Sequence, residues 1–280
     1  MSNRIQPLAT LLDIEVQVDV VDIGANPIDG TPPYKPLLDT GLARVVGFEP
    51  NPHALAALNA RKGPNETYLP YVVFDGAKQT FRVCQAPGMS SLLEPNRKLL
   101  GYFHGFLDWA RVEERHEVET VRLDDIEEVE SLDYLKIDIQ GGELEVFRNG
   151  VERLADCLVI HTEVEFLPMY EGQPLFSEVE MFLRSQGFVF HRFAPLVSRV
   201  LKPLVVGNDI YAGLSQLFWA DAVFIRDFTR LDVLSPMQLK KMTLILHDIY
   251  GSRDVAYQAL LIHDQQSGAT FAERYLAALT

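Results

Sequence analysis

The stretch Val20-Val21-Asp22-Ile23-Gly24-Ala25-Asn26 decides how this chain is read. Val16 to Ile23 is rich in β-branched residues, which favour a buried strand. Gly24, Pro27 and Gly30 mark the turn that ends it. In open α/β sheets, ligands bind just outside the carboxyl ends of the strands. Gly24 lets the backbone come close to a ligand, and Asp22 offers a carboxylate. The same residues also suit an ordinary strand-to-helix turn, because Gly and Asn are common turn residues.

Working outward, the pattern repeats. A short helix is expected near Lys35 to Thr40, closed by Gly41, and Ala43 to Phe48 is a second apolar strand. Asn51 caps a helix that starts at Pro52 and runs to about Lys62. Tyr68 to Phe74 reads as a third strand. This alternation of strand and helix predicts an α/β fold, with a parallel sheet covered by helices on both faces. Further on, Phe81 to Cys84 reads as a short strand, Glu94 to Trp109 as helical, and His116 to Leu123 as an exposed strand. Leu132 to Ile139 is again a buried strand. A helix from Glu143 to Arg148 follows it, with Gly150 expected as its C-terminal cap. Cys157 to Glu163, Phe188 to Phe193 and Ala222 to Ile225 are later strands, and Leu175 to Gln186 is a helix closed by Gly187. From Ser235 the apolar spacing is helical. Residues 1–230 are therefore expected to form the main domain, and 231–280 a helical C-terminal appendage that serves packing or oligomerisation.

Composition narrows the partners. The chain has 280 residues, 48% hydrophobic, enough to bury a large core. Its formal net charge of -14 repels a phosphate backbone, so no nucleic acid is expected as partner. No apolar run is long enough for a membrane span. Only Cys84 and Cys157 are present, which favours reduced thiols in a cytoplasmic protein over a disulfide scaffold or thiolate metal site.

Two more segments extend the candidate site. Gly47-Phe48-Glu49-Pro50-Asn51 ends the second strand, where a carboxylate accepts hydrogen bonds from both hydroxyls of a ribose. Alternatively Glu49 simply favours a helix start. A dinucleotide would need a G-x-G-x-x-G pyrophosphate cradle. The turn here reads Gly24-Ala25-Asn26-Pro27-Ile28-Asp29. Two of the three glycines are missing, and a carboxylate sits where phosphate would lie. That suits a cofactor carrying an ammonium and a sulfonium, namely S-adenosylmethionine, better than a nicotinamide dinucleotide. Asp75-Gly76 and Ser91 are further candidates near an adenine, with a tight Asp-Gly turn as the competing reading of the first.

The stretch Leu135-Lys136-Ile137-Asp138-Ile139-Gln140-Gly141-Gly142-Glu143 places Asp138 at the end of the fourth core strand. Together with Val21 to Asn26 and Gly47 to Asn51, it resembles the FkbM family of methyltransferases, over roughly residues 16 to 227. The resemblance implies a seven-stranded Rossmann-like methyltransferase sheet and S-adenosylmethionine as cofactor. It also implies methylation of a hydroxyl on a saccharide or natural-product small molecule. It places Asp22, Gly24, Ala25 and Asn26 at the methionine end of the cofactor. Glu49 falls at the ribose and Asp75 near the adenine. Read from position alone, Asn51, Ser91 bordering the adenine and Asp138 at a strand end where cofactor and acceptor should meet are further cofactor candidates. The chain departs from the family in lacking a second glycine at 27–29 and in having Gln140 where Glu is usual.

Methyl transfer to a hydroxyl needs alignment and removal of a proton, by a base or after metal coordination. Asp138, His161 and Glu163 are the catalytic candidates. Alternation on a strand puts His161, Glu163 and Glu165 on one face. No residues are assigned as metal ligands, although Asp138 with a glutamate would suit a divalent ion. The late segment Asn208 to Tyr211 is a candidate for acceptor contacts. Competing readings are a nicotinamide-dependent oxidoreductase and a non-catalytic methyltransferase-like interaction domain. The apolar tail suits a homodimer.

Overall fold

The computed structural model of the chain describes residues 7–12, 16–26 and 30–279, so the turn residues Pro27, Ile28 and Asp29 lie outside the described residues. The β-branched runs become strands β1 (Val18–Ile23), β2 (Ala43–Phe48), β3 (Glu66–Leu69), β4 (Val72–Val73) and β5 (Lys78–Cys84). They continue as β6 (Val112–Val121), β7 (Tyr134–Ile137), β8 (Val159–Glu165), β9 (Phe188–Arg199) and β10 (Gln216–Arg226). Seven of them form one sheet in the order β3-β2-β1-β7-β8-β10-β9. The pairs β1–β2, β2–β3, β1–β7 and β7–β8 are parallel, which requires a crossover between successive strands. β10 runs antiparallel to both its neighbours. The strand order reverses between β1 and β7, the place where such sheets bind ligands. β4, β6 and β5 form a separate small sheet.

Three sequence expectations are corrected. Tyr68 to Phe74 is not one strand: β3 joins the large sheet and β4 the small one. Pro70 lies between them and has no N–H to give a ladder. Glu94 to Trp109 is not one helix but two single turns, Arg97–Leu100 and Phe106–Trp109, separated where Gly105 takes φ 82°. Gly150 does not cap the helix Glu143–Arg148. Asn149 does so, and Gly150, at φ -134°, precedes the helix Val151–Leu154. Space explains this glycine, because a Cβ there would lie 2.8 Å from Leu123 Cδ2.

Alternation sends β1 side chains to two cores. Val18 and Val20 face one cluster with Tyr134, Val159 and Val223. Val21 and Ile23 face the other with Leu135, Ile160 and Phe224. The first cluster is completed by the C-terminal helices, through Leu239, Met242, Ile245, Leu260 and Tyr275. Those helices are Pro236–Asp248, Arg253–Ser267 and Phe271–Leu279. Ser235 and Gln238 close a capping box at the first, and Gly268 at φ 73° ends the second. An ion pair fixes the first helix to the sheet. Lys241 Nζ lies 2.6 Å from Asp133 and 3.3 Å from Asp19, both largely buried. Asp133 also accepts the Asp19 backbone N–H at 2.8 Å. Removing one partner of a buried pair leaves an uncompensated charge, so Lys241→Ala is expected to cost about 3 kcal/mol in urea unfolding. A loss within measurement error would show that the helix docks without this pair.

Candidate functional site

The register of three parallel strands lines up the central polar row. Asp22 of β1 stands opposite Lys136 of β7, and Lys136 stands opposite His161 of β8. One step nearer the strand ends, Asp221 of β10 stands opposite Glu163. These side chains share a face with Val20 and Tyr134, the face that the C-terminal helices cover lower down. Above the helices the face opens into a cavity of about 830 Å³, whose walls include Asn26, Lys136, Asp138, Glu163, Asp221 and Tyr250.

Asp22 is 2% exposed and accepts the Tyr34 hydroxyl at 2.6 Å. Lys136 Nζ lies 3.3 Å from its other oxygen and donates to the Gly24 carbonyl at 3.0 Å. Burial pushes the Asp22 carboxyl up, against the pull of Lys136. Burial also works against the Lys136 charge, but the carboxylates of Asp22 and Asp138 outweigh it and hold the ammonium above its ordinary range. Gly24, at φ 79°, makes the close approach: a Cβ there would lie 2.0 Å from the Asp138 carbonyl oxygen. The Gly24 and Ala25 N–H groups both donate to the Phe48 carbonyl at 3.0 Å. β1 and β7 therefore meet without a side chain between them at the cavity's edge.

Glu49 is 5% exposed and accepts the Asn51 N–H at 2.7 Å. Burial raises its carboxyl, and the backbone N–H groups of Asn51 and Asn26 oppose that. It thus stands beside Asn26. Asn51 itself caps the helix Pro52–Arg61, accepting from the N–H groups of His53 and Ala54.

The Gln140 turn gathers the acids. Gln140 Nε2 donates to Asp138 at 2.8 Å and to Glu163 at 3.0 Å, while its own carbonyl accepts the Tyr170 hydroxyl at 3.1 Å. Its backbone sits at φ 62°, a sparsely populated region for a residue with a side chain. Ser91 stabilises it by donating to the Gln140 carbonyl at 2.7 Å. Glu143, 3% exposed, accepts the N–H groups of Ile139 and Gly141. Carboxylate oxygens of Asp138, Glu143 and Glu163 lie within 4.8 Å of one another. Burial, joined by Asp138, pushes the Glu143 carboxyl up to about 7. Burial and then Asp138 and Glu165 hold Glu163 well above the carboxylate range.

His161 completes the wall. Its Nε2 lies 3.3 Å from Asp221 Oδ2, and its Nδ1 lies 3.0 Å from the Tyr250 hydroxyl. Tyr250 in turn meets the Tyr134 hydroxyl at 2.7 Å.

The structure thus brings Asp22, Ala25, Asn26, Asp138, His161 and Glu163 to one cavity, with Gly24 at its edge. Glu49 stands just behind. Ser91 serves the Gln140 turn. Asp75 is placed in the turn before β5, accepting from Ala77, Gln79 and Thr120. In the late segment, Tyr211 stacks on Trp109 at 5.6 Å. Sequence reasoning gave no role to Lys136, Tyr34, Asp221 or Tyr250. For Lys136 a signal existed, a lone cation inside an apolar strand. Tyr250 carries none, because its part depends on how the C-terminal helices dock. Among the described residues no helix is long and apolar enough to cross a membrane.

The doubly wound order, with its last strand reversed, and the glycine turn closed on the fourth parallel strand define a Rossmann-like methyltransferase domain. Residues 22–190 match the family model described as Methyltransferase FkbM domain, and the chain belongs to that family. A 2-O-methyltransferase named NoeI, from Sinorhizobium fredii (strain NBRC 101917 / NGR234), is 30% identical over 167 residues. That match covers 55% of this chain and 66% of the relative, a little under two thirds of its length. Among solved structures, magnesium protoporphyrin IX methyltransferase of Synechocystis PCC 6803, with bound SAM, is 10% identical with a TM-score of 0.39. It covers 79% of this chain and 76% of that one. A precorrin-6y C5,15-methyltransferase of Geobacter metallireducens GS-15 is 12% identical with a TM-score of 0.36, covering 81% and 94%.

The acid cluster makes stability pH-dependent. The folded chain keeps the Glu143 proton up to about 7, whereas the unfolded chain releases it near 4.5. The native state binds more protons between those values, so stability falls as pH rises through that window. Glu143→Gln keeps an acceptor oxygen for Ile139 and Gly141 but has no charge to bury. Its melting temperature is expected to drop less between pH 5 and pH 8 than the parent's. An unchanged drop would remove Glu143 as a cause.

Proposed function

We propose that the protein transfers the methyl group of S-adenosylmethionine to a hydroxyl of a saccharide or a similar small molecule. The observation that carries this reading is the Gly24 turn, closed against the Asp138 carbonyl and opening on a carboxylate-floored cavity of about 830 Å³. That volume falls within the usual range for ligand pockets. The donor set fits the cofactor. Buried acids repel a pyrophosphate but suit an ammonium and a sulfonium. One Asp22 oxygen is buried without a hydrogen-bond partner, though the Lys136 charge is near. Gly24, Ala25 and Asn26 would border the methionine end, Glu49 the ribose, and Asp138 the meeting point of cofactor and acceptor. When bound, the cofactor supplies an electrophilic methyl group on a positively charged sulfur. The chain's own part is to align the acceptor oxygen and take its proton.

A side-chain base rather than a bound cation is the assignment for that proton. Gln140 Nε2 already donates to both Asp138 and Glu163, the two members of the Asp138, Glu143 and Glu163 cluster that line the cavity. The base is then drawn from Asp138, His161 and Glu163 or from a group paired with them, and activity should survive EDTA. The likeness to a 2-O-methyltransferase supports a hydroxyl acceptor. The net charge of -14 works against a nucleic acid acceptor.

Calorimetry with S-adenosylmethionine, S-adenosylhomocysteine and NAD tests the cofactor. The two sulfur nucleosides should bind and NAD should not; failure of both to bind would sink the reading. Glu49→Ala should weaken their binding by about 1.5–3 kcal/mol, the worth of a hydrogen bond to a charged group, which is roughly tenfold to 150-fold.

A further inference from the structure

The floor of the cavity offers several proton acceptors, and hydrogen-bond accounting separates them. Asp221 is a carboxylate and accepts only. His161 Nε2 lies 3.3 Å from Asp221 Oδ2, and a hydrogen on that nitrogen sets a positive edge of the ring beside the carboxylate. A neutral ring with its hydrogen on Nε2 accepts at Nδ1, where the Tyr250 hydroxyl lies at 3.0 Å. The Tyr250 oxygen then accepts the Tyr134 hydroxyl at 2.7 Å. Both phenols are buried, and burial, more than any other cause, keeps them protonated far above the ordinary phenol range. In that tautomer a donor chain runs from Tyr134 through Tyr250 to His161, whose Nε2 stands beside Asp221. Nδ1 of His161 is engaged by Tyr250, and Nε2 is directed at Asp221.

The other acids are worse placed. Glu163 is held well above the carboxylate range, chiefly by burial, and one of its oxygens already accepts from Gln140. Asp138 accepts from Gln140, and its backbone lies against Gly24, at the cofactor end. Asp221 differs. Its side chain is 34% exposed and lines the cavity, on the strand beyond His161 as seen from Gly24.

We propose that Asp221 is the general base of the transfer, with His161, Tyr250 and Tyr134 as positioning residues behind it. This rests on the methyltransferase reading above. In the step, the acceptor's hydroxyl proton passes to Asp221 as the oxygen lone pair bonds to the methyl carbon. The carbon–sulfur electron pair goes to sulfur, leaving a neutral thioether, so charge and atoms balance. The groups that face Asp221 are Lys136 on β7, His161 and Glu163 on β8, Arg192 on β9, and Tyr250 after the first C-terminal helix. The Lys136 ammonium is within electrostatic reach of the Asp221 carboxylate, and His161 Nε2 stands beside one of its oxygens.

Two measurements test this. Nitrogen-15 NMR of the unliganded protein should place the neutral His161 hydrogen on Nε2; a hydrogen on Nδ1 would overturn the donor chain. The second is methyl transfer to a panel of methyl glycosides, with cofactor affinity measured alongside. Asp221→Asn should lower kcat by about 100-fold or more and remove the acid limb of the pH profile, at unchanged S-adenosylmethionine affinity. Tyr250→Phe should lower kcat less and move that limb while KM stays put. Asp221→Asn that keeps kcat within a few-fold on any methylated glycoside would overturn the base assignment. Loss of cofactor binding by the parent protein would instead defeat the methyltransferase reading, whatever the histidine shows.

Discussion

One buried ammonium holds the ends of β1 and β7 together. Lys136 reaches across to the Asp22 carboxylate and the Gly24 carbonyl, and all three lie where the strand order turns back on itself. A cation buried this deeply persists only if it is paired, and a buried carboxylate likewise. Each is therefore the condition for the other. Between them they fix the height at which Gly24 meets the Asp138 carbonyl, and so the shape of the cavity's edge. Tyr34, donating to Asp22, ties the first crossover to the same point.

The rest of the floor is assembled by register rather than by local preference. Parallel pairing puts His161 beside Lys136, and antiparallel pairing puts Asp221 beside Glu163. Side-chain alternation then aims all of them at one face. The negative charge gathered there is offset in three ways: the Lys136 ammonium, the Gln140 amide shared by two acids, and burial that pushes the Glu143 and Glu163 carboxyls up towards their neutral forms. Gln140 can bridge the acids only because Ser91 holds its unusual backbone from the neighbouring loop.

This division explains what was legible in the sequence. Local signals sufficed for β1, β2 and the helix Pro52–Arg61, where a strand end, a cap and a proline coincide. The Gly24 turn and the Leu135 to Glu143 motif were legible because a backbone contact and a tight helix start need particular residues at fixed spacing. Pro70 and Gly105 were visible too, but their effect depends on which sheet or cluster the flanking residues join, which no local pattern states. Asp221 and Tyr250 were out of reach for the same reason. An acid in a strand and a tyrosine after a helix acquire meaning only through pairing across the sheet and docking on its face.

The family match ends at residue 190, whereas Trp219, Asp221 and Tyr250 come from later in the chain. The cavity thus has one side on the matched strands and a far wall on the last strand and the helices behind it. The far wall is joined to the near one through Tyr250, which meets Tyr134 and His161, and through Lys241, which pairs with Asp19 and Asp133. A C-terminal third exchanged between relatives would have to carry both sets of contacts with it, so the two parts of the chain change together.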